Sequence, residues 1–127
     1  RQIIKRLNLI KPPFNVNKPA LFAASAAVLD NKWLTKEIQH IKKWREIMFK
    51  NFSKIKIATN KGDANFLLIN FNRVRISSEK VFKLLAKKGI LVRQMNVYGI
   101  TNSLRVTIGT ANENKNIISQ LEKIINV

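Results

Sequence analysis

Residues 89–110, GILVRQMNVYGITNSLRVTIGT, constrain the fold of this 127-residue chain more than any other stretch. Two short apolar runs, 90–93 and 104–109, read as β-strands, and a polar loop with Tyr98, Gly99 and Asn102 joins them. In Leu104-Arg105-Val106-Thr107-Ile108, alternation sends Leu104, Val106 and Ile108 to one face. Arg105 and Thr107 go to the other. Each run carries one arginine, Arg93 or Arg105, so the layout predicts a sheet edge holding two guanidinium groups for one anionic ligand. A guanidinium presents a planar fork of donors that matches a carboxylate or phosphate and stays charged at any relevant pH.

A charge at the centre of a strand with buried neighbours needs a partner. The chain has only seven acidic residues, so internal partners are scarce, and that scarcity points Arg105 toward a ligand. Arg93 closes its strand, where water is often available, and is the weaker candidate of the two.

The rest of the chain reads as helices around a small sheet. Ile3, Ile4, Leu7 and Ile10 fall at helical spacing, and Lys11-Pro12-Pro13 stops that helix because proline removes a backbone donor. An extended connector follows, and Pro19 suits the first turn of an alanine-rich helix ending at Asp30-Asn31. A longer helix is expected over 35–51, with Ile38, Ile41, Trp44 and Met48 as its apolar stripe. Residues 55–58 could form a short strand, Asn60-Lys61-Gly62-Asp63 a turn, and FLLINF (66–71) a covered strand. Ser77 or Ser78 caps a helix presenting Val81, Phe82, Leu84 and Leu85 and ending at Gly89. Thr110 and Glu113 form a capping box for a last helix ending near Ile125. After the opening helices the expected order is β-β-α-β-β-α: an α+β fold with helices over one face of a small sheet, in a single domain.

Several functional classes find no support. There is no cysteine, and His40 is the single histidine, so no metal cluster can be assembled from those ligands. The four glycines sit at turns and element ends, leaving no phosphate-cradling loop. No nucleophile elbow or catalytic carboxylate pair occurs. His40 reads as a surface residue, and Trp33 and Trp44 as core or interface anchors. The net charge of +17 invites a nucleic-acid reading, yet the surplus is mostly lysine scattered from Lys5 to Lys123. Lysine, asparagine and isoleucine share A- and T-rich codons, which would yield the same charge without a partner. No basic segment interleaves with aromatics for base stacking, so no specific nucleic-acid partner is expected. No apolar run is long enough to span a bilayer and no secretory leader is visible, which fits a soluble cytoplasmic protein with no membrane partner. The chain opens on Arg1 already inside an amphipathic pattern, as a piece of something longer would.

The phrases KPPFNVNKPA, ANFLLINF, KKGILVRQM and YGITNSLRVTIGTANEN, in this order and spacing, resemble the histidinol-phosphate aminotransferases. These are pyridoxal-phosphate enzymes of the class I/II aminotransferase superfamily, and the resemblance spans essentially the whole chain. It implies the C-terminal small domain of a fold-type I enzyme over 1–127, with 1–13 as the end of the helix and linker from a large domain. It also implies that Arg105 binds the phosphate of histidinol phosphate or the carboxylate of glutamate and 2-oxoglutarate, that Arg93 assists on the same anion, and that residues 14–17 run beside the active-site mouth. The family's Schiff-base lysine, its aspartate on the pyridinium nitrogen and its cofactor-phosphate groups lie in motifs absent from this chain. No pyridoxal phosphate is therefore expected on this piece alone, which should be inert, while the full-length enzyme would be a homodimer of histidine biosynthesis. Two alternatives stay open. One is a related aminotransferase for aromatic amino acids or a threonine-phosphate decarboxylase; the more distant one is a basic nucleic-acid-binding module.

Overall fold

The computed structural model describes residues 2–11, 14–59 and 61–125. The chain divides into two compact units, one up to Lys36 and one from Glu37 onward.

The first unit is helical. It holds α1 (Gln2–Ile10), α2 (Lys18–Leu29) and the first turn and a half of α3 (Asn31–Lys54). The proline stop at Pro12-Pro13 lies outside the described residues. Asn17 caps α2, its side-chain oxygen accepting from the Ala20 N–H at 2.9 Å, with Pro19 in the first turn. Asp30 serves two helices: its N–H donates to the Ala27 carbonyl, and its carboxylate accepts from the Trp33 N–H at 2.9 Å. That double use starts α3 at Asn31 rather than at 35.

The second unit carries a three-stranded antiparallel sheet in the order β1-β3-β2, with β1 (Phe66–Asn70), β2 (Arg93–Gln94) and β3 (Ser103–Thr107). In the register, Leu67 faces Val106 and Ile69 faces Leu104, so these four form one apolar face. Three helices cover that face: α3 with Trp44, Met48 and Phe52, α4 (Ser78–Ala86) with Val81 and Leu85, and α5 (Ala111–Ile125) with Ile117 and Leu121. Each such side chain contributes on the order of 1.5–3 kcal/mol by leaving water. This is the expected α+β arrangement, with helices over one side of a small sheet.

Two expected strands shrink. Residues 55–58 are not a strand: only Ala58 bridges Ile69, because Ile55 and Lys56 belong to the cap of α3. There the Ile57 N–H reaches the Phe52 carbonyl and the Lys56 N–H reaches Ser53, a Schellman closure that needs a left-handed residue at Lys56, with φ of 61°. The run at 90–93 pairs with β3 only from Arg93, since the Ile90 N–H is committed to the Leu85 carbonyl in the matching closure of α4. At the equivalent position α4 uses Gly89, with φ of 73°. After α3 the order is therefore β-α-β-β-α.

Candidate functional site

Arg93 and Arg105 stand on the face of the sheet away from the core. Antiparallel pairing sets them directly opposite, Arg93 on β2 against Arg105 on β3. Cross-strand partners share a face, and like charges at such a position repel. Neither is joined to a carboxylate among the described residues; the ion pairs there are Arg45–Asp63, Lys61–Glu46 and Lys83–Glu79.

The two guanidinium groups are held differently. Arg105 is half-buried, its guanidinium carbon 5.1 Å from the centroid of the Phe66 ring. Its Nε is buried and has no hydrogen-bond partner among the described residues. Arg93 is exposed; its guanidinium lies 5.2 Å from the Tyr98 ring centroid and donates to the Tyr98 hydroxyl. Stacking on an aromatic fixes the plane of a guanidinium while leaving its edge free. The pair thus presents two oriented cations, one with an unmet donor and neither with an internal anion.

The loop between β2 and β3 positions Tyr98. Residues Asn96–Tyr98 make one 3₁₀ turn, with the Tyr98 N–H on the Met95 carbonyl, and Gly99 leaves it at a φ of 73°. Asn102 anchors the far side, its side-chain oxygen accepting from the Ser78 N–H at 2.8 Å and its amide donating to Asn72. Ser77 caps α4 through the Lys80 N–H.

A second cluster fixes the exit of β3. Buried Asn114 bonds both backbone groups of Gly109, accepting from its N–H at 2.9 Å and donating to its carbonyl at 2.8 Å. His40 Nε2 reaches the same carbonyl at 2.9 Å and its ring tilts against Trp44. His40 is therefore half-buried and structural rather than a surface residue. The expected capping box is present: Glu113 accepts from the Thr110 N–H and hydroxyl, and the Thr110 hydroxyl accepts from the Glu113 N–H. The Thr110 hydroxyl first, and its N–H second, hold the Glu113 carboxyl below the usual glutamate range. A Cβ on residue 109 would sit 2.6 Å from the Glu113 carboxylate, so a larger residue there would make the Glu113 side chain shift.

Arg45 has a structural role that its sequence context shows only weakly. It is buried, donates to the Ala64 carbonyl at 2.7 Å and lies 3.8 Å from Asp63, pinning the segment before β1 to α3. The signal was its place beside Trp44 on the buried side of the helix. Among the described residues no group of three or more histidines, cysteines or carboxylates could hold a metal ion. No helix there is long and apolar enough to cross a membrane.

Comparison with known proteins agrees with this architecture. The family model for aminotransferase class I and II matches residues 1–121. The histidinol-phosphate aminotransferase of Pelagibacter ubique is 39% identical over 99% of this chain and 35% of its own length. That of Caldicellulosiruptor saccharolyticus is 34% identical over 98% of this chain and 34% of its own. The crystal structure of the histidinol-phosphate aminotransferase from Clostridium acetobutylicum superposes with a TM-score of 0.75 at 26% identity, covering 98% of this chain and 38% of that one. The chain thus spans about a third of the length of the curated relatives it matches. By the family model that runs through nearly all of its residues, this chain belongs to the class I and II aminotransferases.

Proposed function

We propose that this chain is the C-terminal small domain of a pyridoxal-phosphate-dependent aminotransferase that moves the amino group of histidinol phosphate to 2-oxoglutarate. In this reading residues 1–13 are the end of the helix and linker from a large domain, the full-length enzyme is a cytoplasmic homodimer, and Arg105 and Arg93 receive the acidic group of the substrate. One observation supports the assignment: two like charges stand at paired positions on β2 and β3, and neither forms an ion pair with a carboxylate among the described residues. An anion bound by both guanidinium groups would relieve the repulsion. Phosphate and carboxylate both fit a guanidinium fork, so one site can serve both half-reactions.

The residues of this chain do not themselves fit the cofactor. A lysine that forms a Schiff base is held in a desolvated pocket, and every lysine here is exposed. Amino transfer therefore belongs to the assembled enzyme, and this chain's part is to bind and orient.

The test is steady-state kinetics of the full-length enzyme. Arg105→Ala removes charge-assisted hydrogen bonds of about 1.5–3 kcal/mol. The KM for histidinol phosphate and for glutamate should rise by about 10- to 100-fold. Unchanged KM values in both half-reactions would overturn the role. Turnover of phenylalanine or threonine phosphate in preference to histidinol phosphate would move the assignment to a sister activity.

A further inference from the structure

On the second unit, away from the arginine pair and sharing no residue with it, the connectors after α3 and β1 meet α4 and α5 around a groove of about 1120 Å³. Lys56, Arg73 and Arg75 line it from the connectors, Lys54, Lys80 and Lys123 from the helices, and Lys88 from the turn that closes α4. No acidic residue is in the lining, and none of these cations joins a carboxylate among the described residues.

Some of this charge has a local reason. Lys54 and Lys123 stand in the last turns of α3 and α5, where the helix dipole favours a cation. Lys56 and Lys88 stand in the closures of α3 and α4 and share that reason. Arg73 and Arg75 lack it, and Lys80 stands in the first turn of α4, where the dipole disfavours positive charge. Lys56 occupies the left-handed position of a Schellman closure, where the matching closure of α4 has glycine, so its side chain stands against the preference of the backbone.

Between the cations the walls are aliphatic: Ile55, Val74, Ile76, Leu84 and Ile124 are each half-buried. Gln120 adds a buried amide oxygen with no partner among the described residues. No aromatic side chain is in the lining, which removes the stacking platform a single-stranded nucleic acid would use. The concave shape suits a rod better than a flat bilayer. A second copy, with net charge +17, would be repelled.

We propose that this groove docks an acidic amphipathic helix of a partner protein. Its carboxylates would meet the cationic rim and its apolar stripe would lie along the aliphatic walls. The interaction goes beyond the aminotransferase reading and does not depend on it.

Fluorescence anisotropy on the whole chain tests this, with a labelled synthetic helix bearing leucine on one face and glutamate on the other. Arg73→Glu with Arg75→Glu should weaken binding by about tenfold or more, since two rim charges are reversed. The equally charged control Lys42→Glu with Lys43→Glu, exposed on α3 outside the groove, should change it by less than about twofold, as diffuse surface charge is screened. Lys56→Gly should weaken binding while raising the melting temperature, which separates loss of the contact from loss of the fold. Arg105→Ala should leave binding unchanged, so failure here and failure of the substrate site are told apart. Three results overturn the proposal: equal loss in the control pair, equal affinity for a probe with serine in place of leucine, or tighter binding of a single-stranded RNA oligonucleotide.

Discussion

Up to Lys36 every described residue is exposed, including Ile3, Leu9, Phe14, Phe22 and Val28, each more than half open to water. From Glu37 onward the apolar residues close on one another: Met48, Phe52, Ile69, Leu85 and Leu104 are sealed from solvent. The hydrogen bonds divide in the same way. In the first unit side chains bond backbone groups three or four residues away, as in Asn17–Ala20 and Thr35–Asn31. In the second, His40 reaches Gly109 and Asn70 reaches Ser103. Local bonds make helices, but only distant contacts make a core. These exposed apolar residues suit the proposal that the chain is one domain of a longer enzyme.

The sharpest way to break this contrast is a matched pair of truncations followed by urea denaturation of the chain. Phe52→Ala should cost about 3–5 kcal/mol, because it empties a sealed position. Phe22→Ala, at a residue 77% exposed, should stay within about 0.5 kcal/mol. Equal costs would mean that the first unit has its own core. Next in size is Asn114→Ala, which strands the Gly109 N–H and leaves its carbonyl to His40 alone, and should cost about 1–3 kcal/mol.

Within the second unit the same contrast applies to the two faces of β3. Replacing a buried charge with an apolar side chain of similar volume is often neutral or stabilising. Arg105→Met should therefore leave stability unchanged or raise it by about 1 kcal/mol, even as it raises KM in the intact enzyme. A large loss of stability would show the arginine to be structural. The smallest effect is on pH dependence. The folded-state pKa of Glu113 is depressed by Thr110, so its stabilising contribution is complete above the ordinary glutamate pKa and is lost as pH falls through the lower folded value. Thr110→Val should flatten that part of the acid limb in a pH series of melting temperatures.

Much of the second unit was legible before any coordinates. Ser77 and the Thr110–Glu113 box start their helices where expected, and the alternation in 104–108 sorts core from open face correctly. The misses share a cause. Residues 55–58 have strand-like composition, but the closure of α3 puts Lys56 in a left-handed turn. His40 has no neighbour in sequence that predicts the Gly109 carbonyl. Arg45 reads as one more surface cation until Ala64 is brought to it.

Caps, breaks and facial alternation are settled by atoms a few residues apart, so the amino-acid order alone determined the helices, the strand faces and the two arginines on offer. Which residue stands opposite which is a matter of strand register and helix docking between segments far apart in the chain. Only the tertiary structure fixed the register that pairs Arg93 with Arg105, left the Arg105 Nε without a partner among the described residues, and gathered scattered lysines around one groove.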